Sequence, residues 1–232
     1  MNMVYLYYDN PEMLVQQLRC WDLYRDAFED PPEVFLIDDG SPRTFAADIV
    51  RREKCKISIR VYRILEDIPW NFAGARNLGC YHAEGWIYMS DIDTLLFADD
   101  AKRLFEGLAL DRNCFYMPRM LLLPEMSEGC LPKVNLLFHK RLFLAVGGYD
   151  EDYAGHYGRE ETDFYNRLIR LAPRIHRKSV NVRVMPPAII SDARSTTRSR
   201  DISRNAELYS EKERAGFPRP VNSLRFTWER VL

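Results

Sequence analysis

Within the first 120 residues, short apolar runs alternate with longer stretches of helical spacing: residues 4–8, then 12–28, 34–37, 44–52, 57–62, 72–84 and 86–89. This order leaves few architectures open, because parallel strands joined by helices must bury both faces of one sheet. Turn chemistry falls where such a sheet requires it. Asp38-Asp39-Gly40-Ser41-Pro42 closes the second run and Asp91-Ile92-Asp93 closes the fourth. Ligands of open α/β sheets bind at the carboxyl ends of the strands, so both acidic clusters are placed where a ligand can reach them.

After Arg119 the pattern changes. A loop with Pro124, Gly129 and Pro132 precedes an apolar run at 134–138, a helical stretch at 140–146 and the turn Gly147-Gly148. Residues 160–171 follow, with Phe164, Leu168 and Leu171 at helical spacing and two glutamates in the first turn. Residues 194–204 are rich in Arg, Ser and Thr, and they predict a mobile loop before a final helix at 205–214. The expectation is one domain over 1–232, with a first half at 1–119 and a second at 120–232.

Lys and Arg (33) nearly cancel Asp and Glu (34), for a net charge of -1, so no global field selects nucleic acid or an anionic surface. Cys20, Cys55, Cys80, Cys114 and Cys130 are scattered and never spaced C-x-x-C, which argues against a disulfide framework and a zinc site and for a reducing compartment. The start of the chain has no leader-like pattern, and no apolar stretch approaches twenty residues. A cytoplasmic protein without a membrane span is expected, with peripheral association left open.

Asp91 and Asp93 lie two apart at a strand end. In extended backbone both carboxylates project from one face and suit a hard divalent cation, although such triplets also occur in turns and caps. Asp38 and Asp39 are either turn residues or acceptors for a nucleobase N–H or a ribose hydroxyl. Arg76 offers either a solvated charge or a planar fork for a nucleotide. Glu160 and Glu161 suit a helix N-terminus in any protein, but the same position serves a general base. Tyr157 either packs in the core or faces a sugar, and for Trp70 the core is favoured over stacking on a base.

Taken together, these segments resemble the GT-A-fold glycosyltransferases, specifically family-2-like enzymes and the C-terminal domain of β-1,4-galactosyltransferases. Residues 34–41 resemble the nucleotide-binding strand and turn. Ala75-Arg76-Asn77-Leu78-Gly79 followed by Ser90-Asp91-Ile92-Asp93 resembles the Arg-Asn-x-Gly and D-x-D pair. Gly147-Gly148-Tyr149-Asp150-Glu151 through Gly158-Arg159-Glu160-Glu161 resembles the acceptor-side signature, and Val221-Asn222-Ser223-Leu224 the galactosyltransferase C-terminal end. The resemblance implies a mixed, mainly parallel α/β sheet flanked by helices and an inverting transfer of a hexose-type sugar. The donor is a nucleotide-diphospho-sugar, commonly UDP-linked, the acceptor is a glycan or other hydroxyl, and the cofactor is Mn²⁺ or Mg²⁺.

By position, Asp38, Asp39, Arg76, Asp91, Tyr157 and Gly158 would contact the donor. Asp93, with Asp91, would hold the metal. Glu160 would bind sugar or acceptor hydroxyls, and Glu161 would be the base. Three departures stand out: Glu161 occupies a place that usually holds Asp, Arg159 replaces a glycine, and Asp192 stands near the usual downstream metal-ligating histidine. The alternative is a nucleotide-sugar-binding protein without transferase activity. A nucleotidyltransferase is disfavoured, because residues 4–11 contain no glycine.

Overall fold

The computed structural model describes residues 1–106, 109–121, 133–186, 189 and 198–232, with Lys178 described through its backbone only. Strands β1 (Asn2–Tyr7), β2 (Glu33–Asp38), β3 (Ile59–Ile64) and β4 (Trp86–Ser90) lie parallel in the order β3-β2-β1-β4. Side chains alternate across each strand, and so do the two cores. Met3, Tyr5 and Tyr7 of β1 face one side, while Val4 and Leu6 face the other. Strands buried on both faces must read as continuous apolar runs, which is how these four appear in the sequence.

Helices α1 (Pro11–Asp22), α2 (Tyr24–Ala27), α3 (Ala46–Glu53) and α5 (Ala98–Phe105) cover the first face. On α1, Met13, Leu14, Leu18 and Trp21 are buried at helical spacing, each stabilising the fold by about 1.5–3 kcal/mol. Helices α4 (Phe72–His82), α6 (Lys140–Val146) and α7 (Glu160–Leu171) cover the second face. The helix expected across 12–28 is broken at Leu23, the C-cap of α1 and N-cap of α2.

Beyond β4 the sheet becomes mixed. It continues through β7 (Leu136–His139), β6 (Phe115–Leu121), β8 (Arg174–Val184) and β5 (Thr94–Leu95), with β7 antiparallel to β4 and β6 parallel to β8. At the opposite edge β9 (Trp228–Arg230) runs antiparallel to β3. The last helix, α8 (Ser203–Arg214), starts inside the segment expected to be a loop. Among the described residues no helix is long and apolar enough to cross a membrane.

Candidate active site

The carboxyl ends of β1, β2 and β4 open onto a cleft of about 620 Å³, closed from above by the loop that enters α7. At the end of β2, two adjacent aspartates are used differently. Asp38 accepts backbone bonds from Ser41 N (3.0 Å) and Ala46 N (2.8 Å) and is 1% exposed, so its carboxylate is spent on the turn and does not line the cleft. Of its two readings, the geometry favours the turn.

Asp39 lines the cleft. Its Oδ1 accepts from Asn71 Nδ2 at 3.1 Å, and burial pushes its carboxyl up to about 7 against that bond. Gly40, at φ +73°, makes this turn possible: a Cβ there would lie 2.3 Å from the carbonyl oxygen of Glu66.

Residues 91–93 form a turn instead of the extended backbone expected from the sequence. The cause is Thr94, whose amide (3.2 Å) and hydroxyl (2.9 Å) both donate to the Asp91 carbonyl. Asn135 on the neighbouring strand segment ties the turn down, accepting from Ser90 Oγ at 2.7 Å and Thr94 Oγ1 at 3.2 Å. Ile92 packs into the core, while Asp91 and Asp93 both reach the cleft.

Arg76 on α4 is the hub of the site. It is 1% exposed and lies between the rings of Phe72 and Tyr149. Its NH2 donates to Asp91 Oδ1 and to Glu161 Oε1, both at 2.9 Å, and its NH1 donates to Glu160 Oε1 at 3.3 Å. Burial alone would lower its pKa, but Glu161 and Asp91 hold it well above the ordinary value. The geometry gives Arg76 the task of holding three carboxylates, and it also lines the cleft where the sequence expects a nucleotide contact. Asp91 and Glu161 share one guanidinium nitrogen. Burial raises the pKa of both Glu160 and Glu161, with Arg76 opposing the rise and Asp91 adding to it.

The next residue on α4, Asn77, fixes the other half of the site. It donates to Tyr149 O and Glu151 Oε1 (2.9 Å each) and accepts from Tyr149 N at 2.8 Å. Gly148, at φ +74°, leaves room for this exchange, since a Cβ there would meet Asn77 Oδ1 at 2.7 Å. Asn222 adds bonds to Gly147 O (2.7 Å) and Tyr149 O (2.6 Å), which gives the C-terminal Val-Asn-Ser-Leu segment a bracing role.

The entry into α7 is set by Arg159, its N-cap, at φ +77°. Asn205 of α8 shapes the loop before it, its Nδ2 donating to the carbonyls of Tyr153 (3.1 Å), His156 (2.9 Å) and Gly158 (2.8 Å). Tyr157 and Gly158 line the cleft. Trp70, expected in the core, also forms cleft wall: its ring meets Tyr157 edge-on at 4.8 Å, its Nε1 donates to Ser199 O at 2.8 Å, and its backbone is left-handed at φ +51°.

Of the residues expected at the site, Asp39, Arg76, Asp91, Asp93, Tyr157, Gly158, Glu160 and Glu161 come together around this cleft, while Asp38 stands apart. Asp192 lies outside the described residues. Sequence reasoning does not find Asn71, Asn135 or Asn205, which act through single amide groups and belong to no periodic pattern. Among the described residues no three His, Cys, Asp or Glu side chains form a group able to hold a metal ion. Asp93 with Asp91 supplies hard oxygen donors, which suits an ion of the Mg²⁺ kind that takes one or two carboxylates and completes its shell with substrate phosphates and water.

This architecture is the GT-A fold of glycosyltransferases, in its mixed, largely parallel form flanked by helices. Residues 130–186 match a family model described as the N-terminal domain of galactosyltransferase. Among solved structures, the chain is similar to the mannosyltransferase PcManGT from Pyrobaculum calidifontis in complex with GDP-Man and Mn²⁺, at a TM-score of 0.62 and 16% identity over 80% of this chain. It spans 56% of that mannosyltransferase chain. S. aureus TarS 1-349 in complex with UDP-GlcNAc is similar at a TM-score of 0.66 and 11% identity, over 90% of this chain and 70% of that one. No curated protein matches the sequence.

Proposed function

We propose that the chain transfers a hexose-type sugar from a nucleotide-diphospho-sugar to a hydroxyl of a glycan or other acceptor, with inversion at the anomeric carbon. The observation that carries this reading is the meeting, in one cleft, of the β4 acidic turn and the α7 glutamates, joined through Arg76. Residues 1–119 act as the donor half and 120–232 as the acceptor half. Asp39 meets the base or ribose, where its carboxyl can accept from an N–H or hydroxyl, or donate when protonated. A UDP-linked donor is the first choice, with GDP-linked sugars as the comparison, since the similar structures hold one of each.

Asp93, with Asp91 beside it, is the residue set for Mn²⁺ or Mg²⁺. Such an ion supplies Lewis-acid neutralisation of the charge that develops on the leaving diphosphate. Glu161 takes the proton of the acceptor hydroxyl as the hydroxyl oxygen bonds to the anomeric carbon. The bond from that carbon to the diphosphate oxygen breaks, and its electron pair leaves on the nucleoside diphosphate. Arg76 holds Glu161 at a fixed angle and shares its charge with Asp91, while Glu160, buried beside it, anchors the same fork. Trp70 and Tyr157 wall the sugar from bulk water.

A thermal-shift screen of UDP- and GDP-linked sugars with and without Mn²⁺ tests the donor, since a ligand of the folded state alone raises the midpoint. The expected result is a metal-dependent rise for one base and one sugar. A flat response across the panel overturns the reading. A second reading, binding without transfer, is favoured by the engagement of Glu161 Oε1 with Arg76. It predicts the same thermal shift but no released nucleoside diphosphate with any acceptor or with water.

A further inference from the structure

Two cations, Arg159 at the cleft and Lys133 against α7, form no salt bridge among the described residues. Arg159, exposed at the tip of α7, rests its guanidinium over the ring of Tyr209 at 5.5 Å. Lys133, half-buried, places its ammonium 5.2 Å from the centre of the Tyr165 ring. Tyr165 lies one helical turn on from Glu161, so Lys133 and Glu161 share a face of α7. The charges of Glu161 and Arg159 both act on Lys133.

Aromatic faces support both cations, and among the described residues neither forms a salt bridge. The cations at the donor end are treated differently: Arg43 is bonded to Asp9 and Arg198 to Asp67. Arg159 also holds a backbone conformation that favours glycine, so its side chain is kept there against a local conformational cost. A half-buried ammonium and an exposed guanidinium, neither in a salt bridge among the described residues, form a receptor for an anion that arrives with the acceptor.

We propose that the acceptor is anionic: a hydroxyl compound that carries a phosphate or carboxylate close to the hydroxyl being glycosylated. Arg159 and Lys133 bind the anion, Arg159 through its planar fork and Lys133 as a point charge, while Glu161 meets the hydroxyl. This inference rests on the transferase reading above. The donor diphosphate is not the anion in question, because it departs toward the β4 acidic turn, whereas Arg159 caps the helix that presents the base and Lys133 rests on Tyr165 of that helix.

The test is binding to an array of neutral, phosphorylated and carboxylated glycans by the full chain, loaded with Mn²⁺ and the nucleoside diphosphate of the donor found by thermal shift. Binding concentrates on anionic members, and the phosphate and carboxylate arms report which anion is read. Arg159→Gly weakens that binding by about tenfold or more while its melting temperature holds or rises, because glycine relieves the left-handed backbone. Lys133→Ala weakens it further, and Lys133→Arg restores it, which a merely structural loss would not permit. Binding confined to neutral glycans, binding to no anionic member, or anionic binding that survives both substitutions overturns the proposal. Failure of every nucleotide-sugar to stabilise the wild-type chain overturns the transferase reading instead, so the two failures are told apart.

Discussion

The two ends of the cleft bury carboxylates by different means. At the β2 end a single carboxyl, Asp39, sits against the neutral amide of Asn71 and keeps its proton up to about pH 7. At the α7 end three carboxyl groups, from Asp91, Glu160 and Glu161, surround one guanidinium, and burial raises the pKa of both glutamates against it. The first carboxyl meets a neutral amide, whereas in the second group three acids share one cation. On the proposed reading, recognition falls to the first end and chemistry to the second.

The most forceful way to break the contrast is Arg76→Ala, which leaves buried Glu160 and part-buried Asp91 and Glu161 without their shared cation. A loss of about 3 to 5 kcal/mol in denaturant unfolding is expected. Arg76→Lys recovers only part of it, since an ammonium cannot span three partners. A similar loss from Asn71→Ala would put the Asp39 end on equal footing and undo the distinction.

Glu161→Gln is expected to lower kcat by about 100- to 10,000-fold with an unfolding midpoint at or above that of the wild type, since one of three crowded carboxylates is removed. Because burial raises the pKa of Glu161, wild-type kcat falls as pH drops through that raised value. The variant's residual rate should lose this dependence, and a retained profile assigns the base to another group.

Asp93→Ala sharpens the comparison from the turn side. It should abolish the Mn²⁺-dependent part of the donor thermal shift and reduce transfer by at least about tenfold, and chelation of metal from the wild type should reproduce the defect. An undiminished metal response in this variant removes Asp93 from the metal site.

The smallest effect belongs to Asp39→Asn. An ordinary aspartate titrates near 3.9 in the unfolded chain, whereas the folded chain holds this proton to about 7. The raised value means that folding favours the protonated form, so this group's contribution is fully present below about pH 4 and is lost as pH rises through 7. Unfolding midpoints of the wild type measured from pH 4 to 7 should therefore fall more steeply than those of the variant. Equal slopes would show that the Asp39 end is as well compensated as the other.

The parallel strands were legible because burial on both faces writes itself as uninterrupted apolar runs, as in residues 34–37. The α7 helix was legible down to its first residue, because its glutamates and its Phe164–Leu168 spacing mark both start and face. Strand β8 escaped that criterion. It alternates Val180, Val182 and Val184 with Asn181 and Arg183 as a half-exposed strand does, and period two is its signal.

At the site, residue types pointed to Asp39, Asp93 and Glu161, but not to what each would touch. The division of labour between Asp38 and Asp39 depends on which carboxylate the turn consumes. The role of Arg76 depends on burial and on three partners distant in sequence. Trp70 looked like core because large aromatics usually are, and only its left-handed backbone turns it to the cleft wall.

Asn205 reaches across from α8 to grip the carbonyls of Tyr153, His156 and Gly158 in the stretch that leads into Glu161. A single amide on a helix remote from the chemistry thus acts as a jig for the catalytic tip. Drift in the packing of α8 would tilt that tip together with the cleft wall at Tyr157 and Gly158, and so alter which hydroxyl is presented to the donor. Diversification of acceptor choice in chains of this design has a lever that lies outside the cleft altogether.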